Sequence, residues 1–146
     1  RFIEMSPDPS IFQGVSVGGV DLERLLDVMN RRIEALYDRD HMIGHAYFSG
    51  LSSEDDVDAL KEIFLKSIIP LLQEYFFDDQ EKIRAVLGDD QRKNGPHILT
   101  ERPDSSKLFG SSIYSMDLEK TYQINSEALG RREVYEAIYA GHHAKV

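Results

Sequence analysis

The feature that most constrains the fold is the apolar register that begins after Asp21. Leu22, Leu25, Leu26, Met29, Ile33, Leu36 and Tyr37 recur at spacings of three and four, so all seven fall on one face of an α-helix. Glu23, Arg24, Arg31, Arg32 and Glu34 fall opposite and are expected to face water. The pattern predicts a helix over about 21–39. A helix with one apolar stripe must bury it against other elements, and the rest of the chain supplies them at similar periods.

Before it, "RFIEMSP" alternates as a strand does until Pro7 and Pro9 stop it, and "SIFQGVSVGGV" reads as a loop. One strand cannot form a sheet alone. With Arg1 rather than methionine at the start, the expectation is a chain cut from something longer, loss of an initiator segment or tag being the alternative.

After "HMIGHAYFSG", Ser52 and Ser53 precede the acidic "EDDVD", a helix-start signal. The helix should run through Leu60, Ile63, Phe64 and Ser67 and kink or break at Pro70, which lacks a backbone donor, before a second helical stretch. Asp78 or Asp79 should cap "QEKIRAVL", with Gly88 as its stop. Residues 88–112 read as a long, partly mobile excursion. "SIYSMDLEKTYQIN" has the rough alternation of one or two strands. "RREVYEAIY" closes the chain as a short helix on Val134, Tyr135, Ile138 and Tyr139, followed by a frayed "AGHHAKV". The fold class expected is mainly α.

Composition narrows the function. At 146 residues one domain is the default size. There is no cysteine, which excludes disulfides and thiolate metal sites. A net charge of −9 argues against a nucleic-acid-binding surface as a whole, the pairs Arg31-Arg32 and Arg131-Arg132 being local exceptions. No apolar run approaches the roughly 20 residues of a membrane span, and the expected setting is the cytoplasm. No G-x-x-x-x-G-K-[ST] loop and no apolar strand ending in Asp-Glu occurs, so the chain by itself should not hydrolyse nucleotides. The carboxylates Glu54-Asp55-Asp56 and Asp89-Asp90 sit where capping and solvation explain them. Ser111-Ser112 and His142-His143 make no recognisable constellation.

The pair His41 and His45 admits three readings. Two histidines four apart could share a metal on one helical turn, but Gly44 disrupts that turn and the glutamate of the zinc-protease motif is absent, position 42 being Met. The plain reading leaves His41 exposed at the end of the first helix and His45 packed or hydrogen-bonded.

The third reading is a resemblance. "NRRI" (30–33), "DRDHMIGHAYF" (38–48) and "IIPLLQEYFFDD" (68–79), in this order and spacing, resemble the C-terminal part of McrB-type AAA+ motor subunits, the NTPases of modified-cytosine restriction systems. The similarity covers about 1–87 well and the remainder loosely, through "YQIN" and "EVYEAIY". In that family an "ALRRRF"-like run precedes the last core strand, so Arg1 stands where a remnant of the arginine-finger region would be.

The resemblance implies an architecture of three parts. Residues 1–20 would end the nucleotide-binding core, 21–88 would form the helical AAA+ lid, and 89–146 a loop-rich extension with short strands and a C-terminal helix. It implies that "IGHAYF" occupies the place of sensor two, with Gly44 allowing close approach and His45 and Tyr47 facing nucleotide. Histidine stands where arginine is usual, so hydrogen bonding or base contact is as open as charge stabilisation. GTP or ATP with Mg²⁺ would belong to the intact protein. Expected partners are the chain's own AAA+ core, neighbouring ring subunits, a McrC-like nuclease, and DNA through another domain. The competing reading is a helical protein-interaction module without nucleotide, using Leu72, Tyr75, Phe76 and Phe77.

Overall fold

A computed structural model describes residues 14–37, 41–92, 94–102, 108–110 and 121–140. The expected strand at Phe2 to Met5, the arginine at position 1, Ser111-Ser112 and the terminal His142-His143 lie outside these residues.

The chain enters as a miniature hairpin, β1 (Ser16–Val17) against β2 (Val20–Asp21), with Val17 opposite Val20. Gly18 and Gly19 turn it at φ of 58° and 89°, the left-handed pair that matches strand twist. The glycines of "GVSVGGV" also serve packing. A Cβ on Gly18 would lie 2.5 Å from the Val57 side chain and 2.8 Å from its nitrogen, and one on Gly19 would lie 2.7 Å from Arg132 Cδ. The hairpin tip is therefore wedged between two later helices, and the expected loop is instead an anchored turn.

α1 (Leu22–Leu36) starts where periodicity placed it, the Asp21 carboxylate accepting from the Arg24 N–H at 3.2 Å. Leu22, Leu25, Leu26, Met29 and Ile33 are buried as expected, together with Val28 and Asn30. Leu36 and Tyr37 are not: they are 36% and 40% exposed, Tyr37 being covered only in part, by His41 and Phe76. Nor are all the opposite residues solvated. Arg24 lies 4.7 Å over the Tyr139 ring and donates to the Tyr139 carbonyl, and Arg32 donates to the Val86 carbonyl.

α2 (Val57–Ile63) begins later than the serines suggested. Ser52 to Asp55 form a turn, Ser52 N–H donating to the Asp55 carboxylate at 2.8 Å, and the Asp55 carbonyl receives the Gly18 N–H. Asp56 is the cap, accepting from Asp58 N–H. The disruption expected at Pro70 is a wide π turn over Phe64–Ile68, in which the Ile69 N–H reaches back five residues to Phe64. It sits directly ahead of the proline, and α3 (Ile69–Tyr75) continues with Pro70 in its first turn, where no donor is required.

α4 (Gln80–Val86) is capped by Asp79, whose carboxylate accepts from Lys82 N–H, and stops at Gly88 with φ 76°. The segment after Gly88 is more anchored than a loop reading allows. Asp89 is 1% exposed; its carboxylate accepts from the backbone of Ile98 at 2.8 Å and of Leu99 at 2.7 Å and pairs with Arg92. Solvation does not account for Asp89. β3 (Leu99–Glu101) pairs antiparallel with β4 (Tyr122–Ile124), which lies in the expected strand region. A 3-10 turn at Ala128–Gly130 leads into α5 (Arg132–Tyr139), with Val134, Tyr135, Ile138 and Tyr139 all buried as the spacing predicted.

The described residues share one apolar cluster running from Val17 to Tyr139. α5 lies against α1, and Tyr135 sets its ring edge-on to Phe64 at 5.1 Å while its hydroxyl donates to the Leu129 carbonyl. The Tyr139 hydroxyl accepts the Asp21 N–H, so the last helix holds the start of the first. The architecture is mainly α.

Candidate functional site

The segment from His41 to Phe48 is held at three points. The first is Ile43, fully buried, whose N–H donates to Asn30 Oδ1 at 2.6 Å and whose carbonyl accepts from Asn30 Nδ2 at 2.9 Å. Backbone polar groups in a core need partners, and one side-chain amide from α1 serves both. The second is the Tyr75 hydroxyl, which donates to the Met42 carbonyl at 3.3 Å. Burial, then Tyr47 and Glu74, push that hydroxyl above the ordinary tyrosine pKa. The third is Phe48, 1% exposed, packed against Phe64 with ring centres 6.3 Å apart.

Between these anchors the backbone is presented outward. Gly44 has φ −74° and ψ 151°, and a Cβ there would meet nothing within 4 Å. Nothing in the described fold requires glycine at this position. His45 opens a 3-10 turn ending at Phe48; its Nδ1 is covered and has no hydrogen-bond partner among the described residues. Tyr47 is 39% exposed. Gly44, His45 and Tyr47 thus lie on one short stretch whose ends are fixed.

His41 is half-buried rather than exposed. It stacks on Tyr37 at 4.2 Å and 27° and meets Tyr75 edge-on at 5.2 Å. Its ring belongs to an aromatic cluster with Tyr37, Tyr75 and Phe76. Among the described residues no three His, Asp or Glu side chains come together as a metal-binding group.

The basic pairs are engaged within the chain. Arg31 pairs with Asp27 at 3.5 Å, Arg131 with Glu133 at 3.9 Å and Arg132 with Glu136 at 3.4 Å. Of the interaction-surface residues, Leu72 and Phe76 are core, Tyr75 holds Met42, and Phe77 alone projects, 84% exposed.

Two residues central to this geometry had little sequence signal. Asn30 is a polar side chain on a buried helical register, and that mismatch is the clue to its clamp. Asp89, in "GDDQ", looks like any loop acid, and its burial depends on a backbone nine residues away.

Among the described residues no helix is long and apolar enough to cross a membrane. No curated protein matches the chain. Residues 21–84 match the family described as McrB, alpha-helical lid domain, a span that opens at the α1 cap and closes within α4. The mainly helical fold agrees with this match: over residues 21–84 the chain is similar to the alpha-helical lid domain of McrB.

Proposed function

We propose that this lid closes over a nucleotide bound by an AAA+ core, and that the 44–47 stretch is its nucleotide-facing edge. The observation that carries the reading is the lid match over residues 21–84, in which that stretch is included. In support, the stretch is open at Gly44, carries at His45 a covered imidazole nitrogen with no partner among the described residues, and exposes a tyrosine, while its ends are fixed to α1 and α3. A fixed edge costs little ordering entropy when it meets a ligand.

These residues suit a contact to nucleotide rather than a whole site. His45 and Tyr47 would hydrogen-bond the nucleotide and Gly44 would admit close approach. The phosphate-cradling loop and the acidic groups for Mg²⁺ would come from the core, since this sequence holds neither. GTP or ATP would supply the free energy of phosphoryl transfer, and the lid by itself is not catalytic. In this reading residues 1–20 complete the core, 21–88 form the lid and 89–146 extend it. The intact protein acts as a ring with a McrC-like nuclease and meets DNA through another domain.

The test is His45→Ala in the intact protein. Nucleotide turnover should fall while thermal unfolding of the 146-residue chain stays at the parent value. Unchanged turnover would remove His45 from the nucleotide site.

A further inference from the structure

The loop that leads into β3 holds the only Asn-Gly pair of the sequence, Asn94-Gly95, and sets it beside a histidine. Asn94 is exposed on a turn, and among the described residues neither its side-chain amide nor the Gly95 N–H has a hydrogen-bond partner. Gly95 has φ 54° and no side chain to shield its nitrogen. The other two asparagines are engaged. Asn30 is buried with both amide atoms on Ile43, and Asn125 donates to the His97 carbonyl at 3.3 Å and precedes Ser126.

His97 is oriented by the same loop. Its Nε2 lies 2.6 Å from the Arg92 carbonyl, and a carbonyl only accepts, so in the neutral ring Nε2 carries the proton and Nδ1 is the basic nitrogen. A Cβ built on Gly95 would lie 3.5 Å from that Nδ1. The basic nitrogen therefore rests against the residue whose amide is free.

We propose that Asn94 is a self-modification site and that His97 is the general base for its deamidation. His97 Nδ1 takes the Gly95 amide proton as the Gly95 nitrogen bonds to Asn94 Cγ; the Cγ–Nδ2 bond then breaks, the proton passes to the departing nitrogen, and ammonia leaves. Water opens the resulting cyclic imide, at Cγ to give aspartate or at the main-chain carbonyl to give isoaspartate. No oxidant, metal or second protein is consumed. The product adds a negative charge to the cavity that Asn94 lines with Arg92 and Glu133, and isoaspartate adds a methylene to the main chain there. Asp89 ties the two ends of this loop together, through Arg92 on one side and the Ile98 and Leu99 N–H groups on the other, so the change falls on a closed loop.

Peptide mapping by mass spectrometry of the full 146-residue chain, kept folded in mildly alkaline buffer, tests it. The parent should accumulate aspartate and isoaspartate at position 94 with an equal amount of ammonia, while Asn30 and Asn125 stay intact. Asn94→Gln should abolish that ammonia release. His97→Gln keeps a donor for the Arg92 carbonyl but no base, and should convert several times more slowly at Asn94. In guanidinium, where the ring is no longer held against Gly95, parent and His97→Gln should convert alike. An Asn94 that stays intact in the parent, conversion spread equally over the three asparagines, a folded His97→Gln chain that converts at the parent rate, or a difference that persists in guanidinium would each overturn the proposal.

Discussion

Asn30 and Ile43 form a closed two-bond ring between a helix side chain and a loop backbone, at 2.6 and 2.9 Å, inside the core. Ile43 directly precedes Gly44, so the position of the 44–47 edge is set by an amide on α1. Asn30→Leu leaves an N–H and a carbonyl buried without partners, each at a cost of about 1–3 kcal/mol. The expected loss of stability is about 2–4 kcal/mol by chemical denaturation. A loss under about 1 kcal/mol would mean that water reaches both groups and the clamp does not set the loop.

Two glycines separate packing from presentation. Gly18→Ala puts a Cβ against the backbone nitrogen of Val57 at a φ of 58°, so it should cost about 2 kcal/mol or more. Gly44→Ala meets open space at an ordinary φ, and its stability should stay within about 0.5 kcal/mol of the parent. Thermal unfolding of the two variants side by side checks this; equal losses would contradict the wedged hairpin. In the intact protein, Gly44→Ala should slow nucleotide turnover despite its parental stability.

Asp89 carries three bonds that join separate parts of the chain. It accepts from Ile98 and Leu99 and pairs with Arg92, whose guanidinium also donates to the carbonyls of Leu87 and Val134. Asp89→Ala leaves the Arg92 charge in a site where its side chain is 7% exposed, and a loss of about 3–5 kcal/mol is expected. Asp89→Asn should lose less, since one carbonyl oxygen can still accept. Urea titrations of both variants give the order, and equal losses would place the cost in the ion pair rather than in the backbone bonds that the asparagine oxygen can still accept.

Alkaline pH should unfold the protein through its tyrosines. Burial, and secondarily Asp58, raises the Tyr135 hydroxyl far above its ordinary pKa, and burial also raises Tyr75 and Tyr139. The unfolded chain releases these protons near pH 10 while the folded chain keeps them, so stability is level below about pH 9 and falls above about pH 10. Tyr135 alone contributes a slope approaching about 1.4 kcal/mol per pH unit. In Tyr135→Phe, denaturation midpoints from pH 8 to pH 11 should decline less steeply than in the parent. The same slope in both would assign the alkaline limb to other groups.

The sequence by itself determined the features that arise within a few residues. Three-and-four spacing placed α1 and α5, the pair Asp78-Asp79 contained the cap of α4, and Gly88 ended α4. Pro70 marked the disruption that became a π turn. These are local effects, so local residues reveal them. The order of motifs pointed to the lid family, but no residue pattern showed how the 41–48 segment is held.

Tertiary structure decided which groups left water. Asn30 is buried by a loop 13 residues away, and Asp21 meets Tyr139 across 118 residues. Gly18 is required by Val57, whose side chain and backbone nitrogen close on it, and not by the turn alone. Leu36 and Tyr37 continue the apolar register yet remain partly exposed, and Arg24 and Arg32 lie on the polar face yet pack inward. Periodicity says which residues can share a face. The elements that arrive from elsewhere in the chain decide whether that face is covered.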